Sequence, residues 1–258
     1  MKILFLGTGA AGNKKRHECE IPEGTRRCSS LFLDENVVVD MAIQSFDYAT
    51  KLGVDTSVVT DVFISHFHRD HYNKEALLSY VNAAKGKINV WCNRVSVSAL
   101  DLTDEELERV NVCPIDPMQE FDTAGLHVLA LPANHAGGKA LHFIFEKDGK
   151  RLFYGLDGGW VSASEWRHIF TNEIVFDAVI LDSTFMSQDP VNYRGMGEHN
   201  NVLTLPILVE GFRQVGAATE QTKIIADHIG YKAHDEVVLS FLTGLGMIPA
   251  ADGQTIEI

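Results

Sequence analysis

Residues 66–71 read His66-Phe67-His68-Arg69-Asp70-His71 and follow an apolar run that ends in Val62-Phe63-Ile64. Such a run reads as a buried strand, so four metal-competent side chains leave its end within a few positions. In an extended chain, residues two apart share a face. His66 and His68 can therefore address one cation, while Asp70 and His71 turn toward a second. Imidazole plus carboxylate is a common donor mixture for divalent Zn or Mn, with Fe and Ni also accepted. Satisfied core or surface histidines would not require three imidazoles and an aspartate at this spacing, so the segment points to a two-metal hydrolytic centre.

Such a centre needs further donors, and they also follow apolar runs. His135 comes after Leu126-His127-Val128-Leu129-Ala130-Leu131-Pro132, in the string Pro132-Ala133-Asn134-His135-Ala136-Gly137. Asp157 follows Leu152-Phe153-Tyr154-Gly155-Leu156 and precedes Gly158-Gly159, and His228 follows Lys223-Ile224-Ile225-Ala226-Asp227. Each is expected at a strand end, so that the donors collect along one edge of the fold.

The order H-x-H-x-D-H, then a lone His, then an Asp in a G-x-D-G turn, then a late His, resembles the metallo-β-lactamase superfamily. The resemblance runs from Met1-Lys2-Ile3-Leu4-Phe5-Leu6-Gly7-Thr8-Gly9 to His228. The strings Leu6-Gly7-Thr8-Gly9, Arg27-Cys28-Ser29-Ser30, Asp182-Ser183-Thr184-Phe185, Glu198-His199-Asn200 and His228-Ile229-Gly230 are most similar to PhnP-type cyclic phosphodiesterases. Their branch also contains tRNA 3′-processing endoribonucleases. The resemblance implies that His66, His68 and His135 hold one cation, that Asp70, His71 and His228 hold the other, and that Asp157 bridges them. A hydroxide between cations roughly 3.5–4 Å apart would then attack a phosphodiester.

An expelled alkoxide wants a proton, and in the resembling phosphodiesterases a His in the equivalent string acts as general acid, which places that role on His199. Asp182 can orient its ring and raise its pKa, and Asp70 is counted with these two at the reacting centre. Asn200, Thr184 and Arg194 are the expected substrate contacts, with Tyr193 on the same pocket wall. Asp40, after Asn36-Val37-Val38-Val39, is expected to orient a ligand histidine rather than bind metal. Met41-Ala42 stands where the family usually has a glycine. The remaining histidines, His17, His127, His142, His168 and His234, are read as surface or core.

A chain of 258 residues, 45% hydrophobic and 22% charged, suits one soluble layered domain spanning 1–258. No run of about 18 apolar residues is present, so no membrane partner and a cytoplasmic location are expected. Cys19, Cys28, Cys92 and Cys113 form no C-x-x-C pair, which argues against disulfides. Cys19 and Cys28 with His17 are kept as a candidate structural metal site. The net charge of −13 disfavours a folded RNA, since the clearest basic cluster is only Lys14-Lys15-Arg16 with Arg26-Arg27. The expected partner is a small phosphodiester, nucleic acid is not expected, and a homodimer is compatible. The alternatives are a metal-binding member of the same fold with cofactor-biosynthesis or redox activity, or a tRNA 3′-endoribonuclease.

Apolar runs and turn signals predict strands near 2–6, 29–34, 36–40, 59–64, 88–91, 126–131, 141–146, 151–156, 177–181 and 223–226. Helices are predicted near 43–51, 73–85, 95–98, 103–109, 162–168, 201–215 and 233–245. Lys147-Asp148-Gly149-Lys150 reads as a hairpin turn. The sum is an α/β chain: an αβ/βα four-layer sandwich of two mixed sheets with outer helices.

Overall fold

The computed structural model describes residues 1–10, 21, 24–186, 197–230 and 236–258. Its first sheet contains β1 (Lys2–Gly7), β2 (Ser30–Leu33), β3 (Val37–Val39), β4 (Asp61–Phe63), β5 (Ile88–Asn93), β6 (Val110–Ile115) and β14 (Thr255–Glu257). The second contains β7 (Glu120–Thr123), β8 (Leu126–Pro132), β9 (Leu141–Lys147), β10 (Lys150–Gly155), β11 (Ala178–Asp182), β12 (Lys223–Asp227) and β13 (Ile248–Pro249). The orders are β14-β1-β2-β3-β4-β5-β6 and β13-β12-β11-β10-β9-β8-β7. Both sheets are mixed: β3 to β6 and β10 to β13 run parallel, and the other pairs are antiparallel.

Parallel strands covered on both faces need apolar side chains in both directions, which is why Val37-Val38-Val39 and Ala178-Val179-Ile180-Leu181 show no polar alternation. Alternate residues of one strand feed different cores. Leu31 and Leu33 of β2 join Phe63, Phe143, Leu152 and Ile180 between the sheets. Phe32 turns outward to Val62, Leu77 and Tyr80, beneath α1 (Ser45–Lys51) and α2 (Lys74–Ala83). On the opposite outer face, Phe153 and Leu181 pack beneath α4 (Ala163–Thr171), α5 (Thr204–Gln214) and α6 (Glu236–Gly244) through Ile169, Phe212 and Leu242. Helix, sheet, sheet and helix form the four layers expected.

Lys147 pairs with Lys150 across Asp148 (φ 52°) and Gly149 (φ 73°), so the anticipated hairpin is a two-residue turn with left-handed backbone at both central positions. Four strands escaped sequence reading: β6, β7, β13 and β14. All four close the ends of their sheets, and β13 is two residues long. Pro114 and Pro249, which cannot donate to a ladder, suit only such edge strands. The helix predicted over 103–109 shrinks to α3 (Asp104–Leu107), because Val110 begins β6 against β5. A 3₁₀ turn over Arg94–Leu100 replaces the helix expected at 95–98, and α5 starts at Thr204 after Asn201 Oδ1 accepts the Leu203 and Thr204 amides.

Candidate metal centre

The strand ends on one edge of the sandwich converge. His66, His68, Asp70 and His71 lie between β4 and α2, His135 follows β8, Asp157 follows β10, Asp182 closes β11, and His228 follows β12. The two sheets are joined at this edge: Leu141 N donates to Ser65 O (2.9 Å), and Ile229 N donates to Thr8 O (2.9 Å). Asp40, Asp157 and His228 all have left-handed backbone, with φ of 54°, 52° and 52°. That conformation is more accessible to Asp and His than to most residues, and here it turns each side chain back across the strand ends. Gly159 (φ +53°) admits the segment carrying His199, since a Cβ there would sit 2.8 Å from the His199 amide nitrogen.

Donor atoms gather in two sets. His66, His68, His135 and Asp157 form one, and Asp70, His71, Asp157 and His228 the other, each with its donors within 4.8 Å of one another. One oxygen serves both sets: Asp157 Oδ2 lies 3.5 Å from His66 Nε2, 3.4 Å from His135 Nε2 and 3.3 Å from His71 Nε2. In the second set, His228 Nε2 lies 3.3 Å from Asp70 Oδ2 and 3.2 Å from His71 Nε2. In the first, His135 Nε2 faces His68 Nδ1 at 3.0 Å.

These separations fit metal ions. Donors arranged tetrahedrally at about 2.1 Å from zinc stand about 3.4 Å apart, and His66 Nε2 is buried without a hydrogen-bond partner. Imidazole nitrogens that confront each other at 3.0 and 3.2 Å would repel through their lone pairs unless a proton or a cation lay between them.

Hydrogen bonds behind the rings fix which nitrogen faces inward. His71 Nδ1 donates to Asp40 Oδ2 (2.7 Å), leaving Nε2 for the centre. Ser65 Oγ donates to Asp40 Oδ2 (2.7 Å) and accepts from His66 Nδ1 (3.1 Å), so His66 also presents Nε2. Thr184 repeats the device: its hydroxyl donates to Asp182 Oδ1 and accepts from His228 Nδ1 (2.8 Å). His199 Nδ1 donates to Asp182 Oδ2 at 2.9 Å, and its side chain stays 17% exposed while Asp182 is buried. A third gathering, Asp157, Asp182, His199 and His228, thus abuts the second set.

The two sets differ in charge. Burial pushes His66 well below the ordinary imidazole range, and it lowers His135 to about 4, helped by its neighbours His199 and His68. Burial also opposes protonation of His71 and His228, but carboxylates outweigh it. Asp157, Asp40 and Asp70 hold His71 well above its usual value, and Asp157, Asp182 and Asp70 raise His228 to about 10. Against the same burial, His228 and His71 hold the Asp157 carboxyl well below its usual range. His66 and His135 of the first set offer free lone pairs at neutral pH, whereas a cation entering the second set displaces protons from His71 and His228.

Two expected substrate contacts are placed otherwise. Asn200 is buried, its amide donating to Asp182 O (3.1 Å) and accepting from Thr204 Oγ1 (3.3 Å), so it braces the Asp182 turn instead of facing a ligand. The Thr184 hydroxyl is spent on Asp182 and His228, which makes it a support for a donor histidine. Arg194, Tyr193, His17, Cys19, His234 and the Lys14-Lys15-Arg16 cluster lie outside the described residues; Cys28 is buried. His142 is a core residue whose Nδ1 donates to buried Glu165 at 2.6 Å, and His127 is an exposed strand residue beside Asp122. Sequence reading missed Ser65 and Tyr154. The Tyr154 hydroxyl donates to Asp40 Oδ2 at 2.8 Å, and its only trace in the sequence was its place three residues before Asp157 on an apolar strand.

Residues 36–229 match the family described as the beta-lactamase superfamily domain. No curated protein sequence matches the chain. Among solved structures it is similar to the human short-form tRNase Z (ELAC1), with TM-score 0.72, 16% identity, and 100% of this chain and 99% of that one covered. It is similar to Zn(2+)-bound PqqB from Methylobacterium extorquens, with TM-score 0.73, 16% identity, and 100% of both chains covered. A diphosphatase from the PhnP family gives TM-score 0.73 and 15% identity, over 100% of this chain and 98% of that one. At these identities the likeness is one of fold.

Proposed function

The chain belongs to the beta-lactamase superfamily, and from that premise we propose that it is a dinuclear metal-dependent phosphodiesterase acting on a small cyclic or linear phosphodiester. His66, His68, His135 and Asp157 would hold one divalent cation, and Asp70, His71, His228 and Asp157 the second. Bound there, the pair would supply Lewis-acid polarisation of the phosphodiester and of an attacking water.

The observation that carries the reading is the pair His199–Asp182. Its 2.9 Å hydrogen bond places a partly exposed imidazole beside a buried carboxylate, one residue shell from the donor cluster. Burial works against a proton on His199, but Asp182 and then Asp157 outweigh it and raise its pKa. An imidazole whose pKa is raised and whose ring reaches solvent suits protonation of a departing alkoxide. Asp182 orients the ring, and Thr184 ties that carboxylate to His228, so acid and donor cluster share one support. The net charge of −13 supports a small substrate over a folded RNA, whose phosphates need an extended basic surface.

The test is leaving-group dependence. His199→Ala should lower kcat on 2′,3′-cyclic nucleotides, which expel an alkoxide, by about 10²-fold or more, yet change turnover of bis-p-nitrophenyl phosphate by much less, because p-nitrophenolate departs unprotonated. Equal losses on both substrates would remove the general acid. No turnover of either by the metal-loaded wild type would remove the phosphodiesterase.

A further inference from the structure

The carboxylate of Asp40 belongs to neither set of donors, yet it stands behind both. Asp40 follows β3, is buried, and accepts from four donors: Ser65 N to Oδ1 (2.7 Å), and Ser65 Oγ (2.7 Å), His71 Nδ1 (2.7 Å) and Tyr154 OH (2.8 Å) to Oδ2. Through His71 it governs a donor of the second set directly. Through the Ser65 hydroxyl, which has one proton to give and gives it to Asp40, it governs His66 of the first. In both rings the outer nitrogen is engaged by this network, and the inner one is left to face the centre.

Tyr154 differs in origin from the other donors. Ser65 and His71 lie beyond β4 in Asp40's own sheet, whereas Tyr154 belongs to β10 in the facing sheet, three residues before Asp157. Its ring is buried among the residues between the sheets, and burial together with the Asp40 carboxylate pushes its pKa well above the usual phenol value, so it remains a donor. The strand that delivers the shared Asp157 oxygen thus also pins the carboxylate that sets the ring orientation of one histidine in each set.

We propose that Tyr154 is a positioning residue for the whole centre: its hydroxyl locks Asp40, and through Asp40 and Ser65 it fixes the ligating nitrogens of His71 and His66 together. The proposal rests on the centre binding two cations and is independent of phosphodiester chemistry. Partners behind metal-ligating histidines typically contribute 10–100-fold to metal affinity.

The experiment is stepwise Zn²⁺ binding to the full chain by chelator competition, with wild type, Tyr154→Phe and Ser65→Ala compared and folding followed by circular dichroism. Tyr154→Phe keeps the buried ring, so the fold should persist while both Zn²⁺ constants weaken about tenfold. Ser65→Ala, which removes the hydroxyl from both Asp40 and His66 while the Ser65 amide still holds Asp40 Oδ1, should weaken the constant of the set that contains His66 more than the other. Affinities within twofold of wild type in Tyr154→Phe, a loss confined to one constant, or a variant that does not fold would each overturn the proposal. Wild-type protein that binds no Zn²⁺ would overturn the metal reading as well. Two unchanged constants in Tyr154→Phe beside a two-ion wild type would overturn this inference alone.

Discussion

At the scale of single residues, the sequence disclosed the donors better than their supports. His66, His68, Asp70, His71, His135, Asp157 and His228 announce themselves because imidazoles and carboxylates at the ends of apolar runs have little structural reason to be there. Ser65, Thr184 and Tyr154 are ordinary hydroxyl residues whose roles arise from contacts with positions up to 114 apart in sequence, such as Tyr154 with Asp40. No spacing rule signals them, and the same long-range packing drew Asn200 inward. The Asp182–His199 pair carries a prediction with a definite sign. A general acid must be protonated, so kcat/KM falls as pH rises through the His199 pKa, which Asp182 raises against burial. In Asp182→Asn the charge is gone and burial acts with less opposition, so the alkaline limb of the pH–rate profile should move to lower pH. An unmoved limb would mean that another group gives the proton.

Secondary-structure elements were legible where both faces are buried and obscure where one edge is bare. Strands β2, β3, β11 and β12 read as unbroken apolar runs, while β6 and β13 carry prolines and β7 alternates exposed and half-buried positions. The helix predicted over 103–109 does open on a Thr103 capping box, but pairing of Val110 with Ile88 ends it early. The turn Asp148-Gly149 was read correctly because its geometry is local. Gly149 adopts φ 73°, so Gly149→Ala should cost about 1 kcal/mol, or roughly 2–4 °C in Tm, on thermal unfolding. Activity should be unchanged, since the hairpin lies at the opposite end of β10 from Asp157, about 20 Å away at the rise of a strand. An unaltered Tm would show that the left-handed turn is not needed to set the register of β9 and β10.

For the molecule as a whole, the four-layer architecture and the convergence of distant strand ends are one fact. Strands whose apolar runs finish in polar residues must place those residues on a common rim once two sheets pack face to face, and the rim is where the left-handed Asp40, Asp157 and His228 turn inward. Buried carboxylates and imidazoles at that rim are tolerable only if they compensate one another or hold cations. The central claim is that they hold two. Crystals grown with Zn²⁺ and measured for anomalous scattering at the zinc edge should show two peaks per chain, one among His66, His68, His135 and Asp157, and one among Asp70, His71, His228 and the same Asp157. A single peak, none, or zinc bound away from Asp157 would contradict the account.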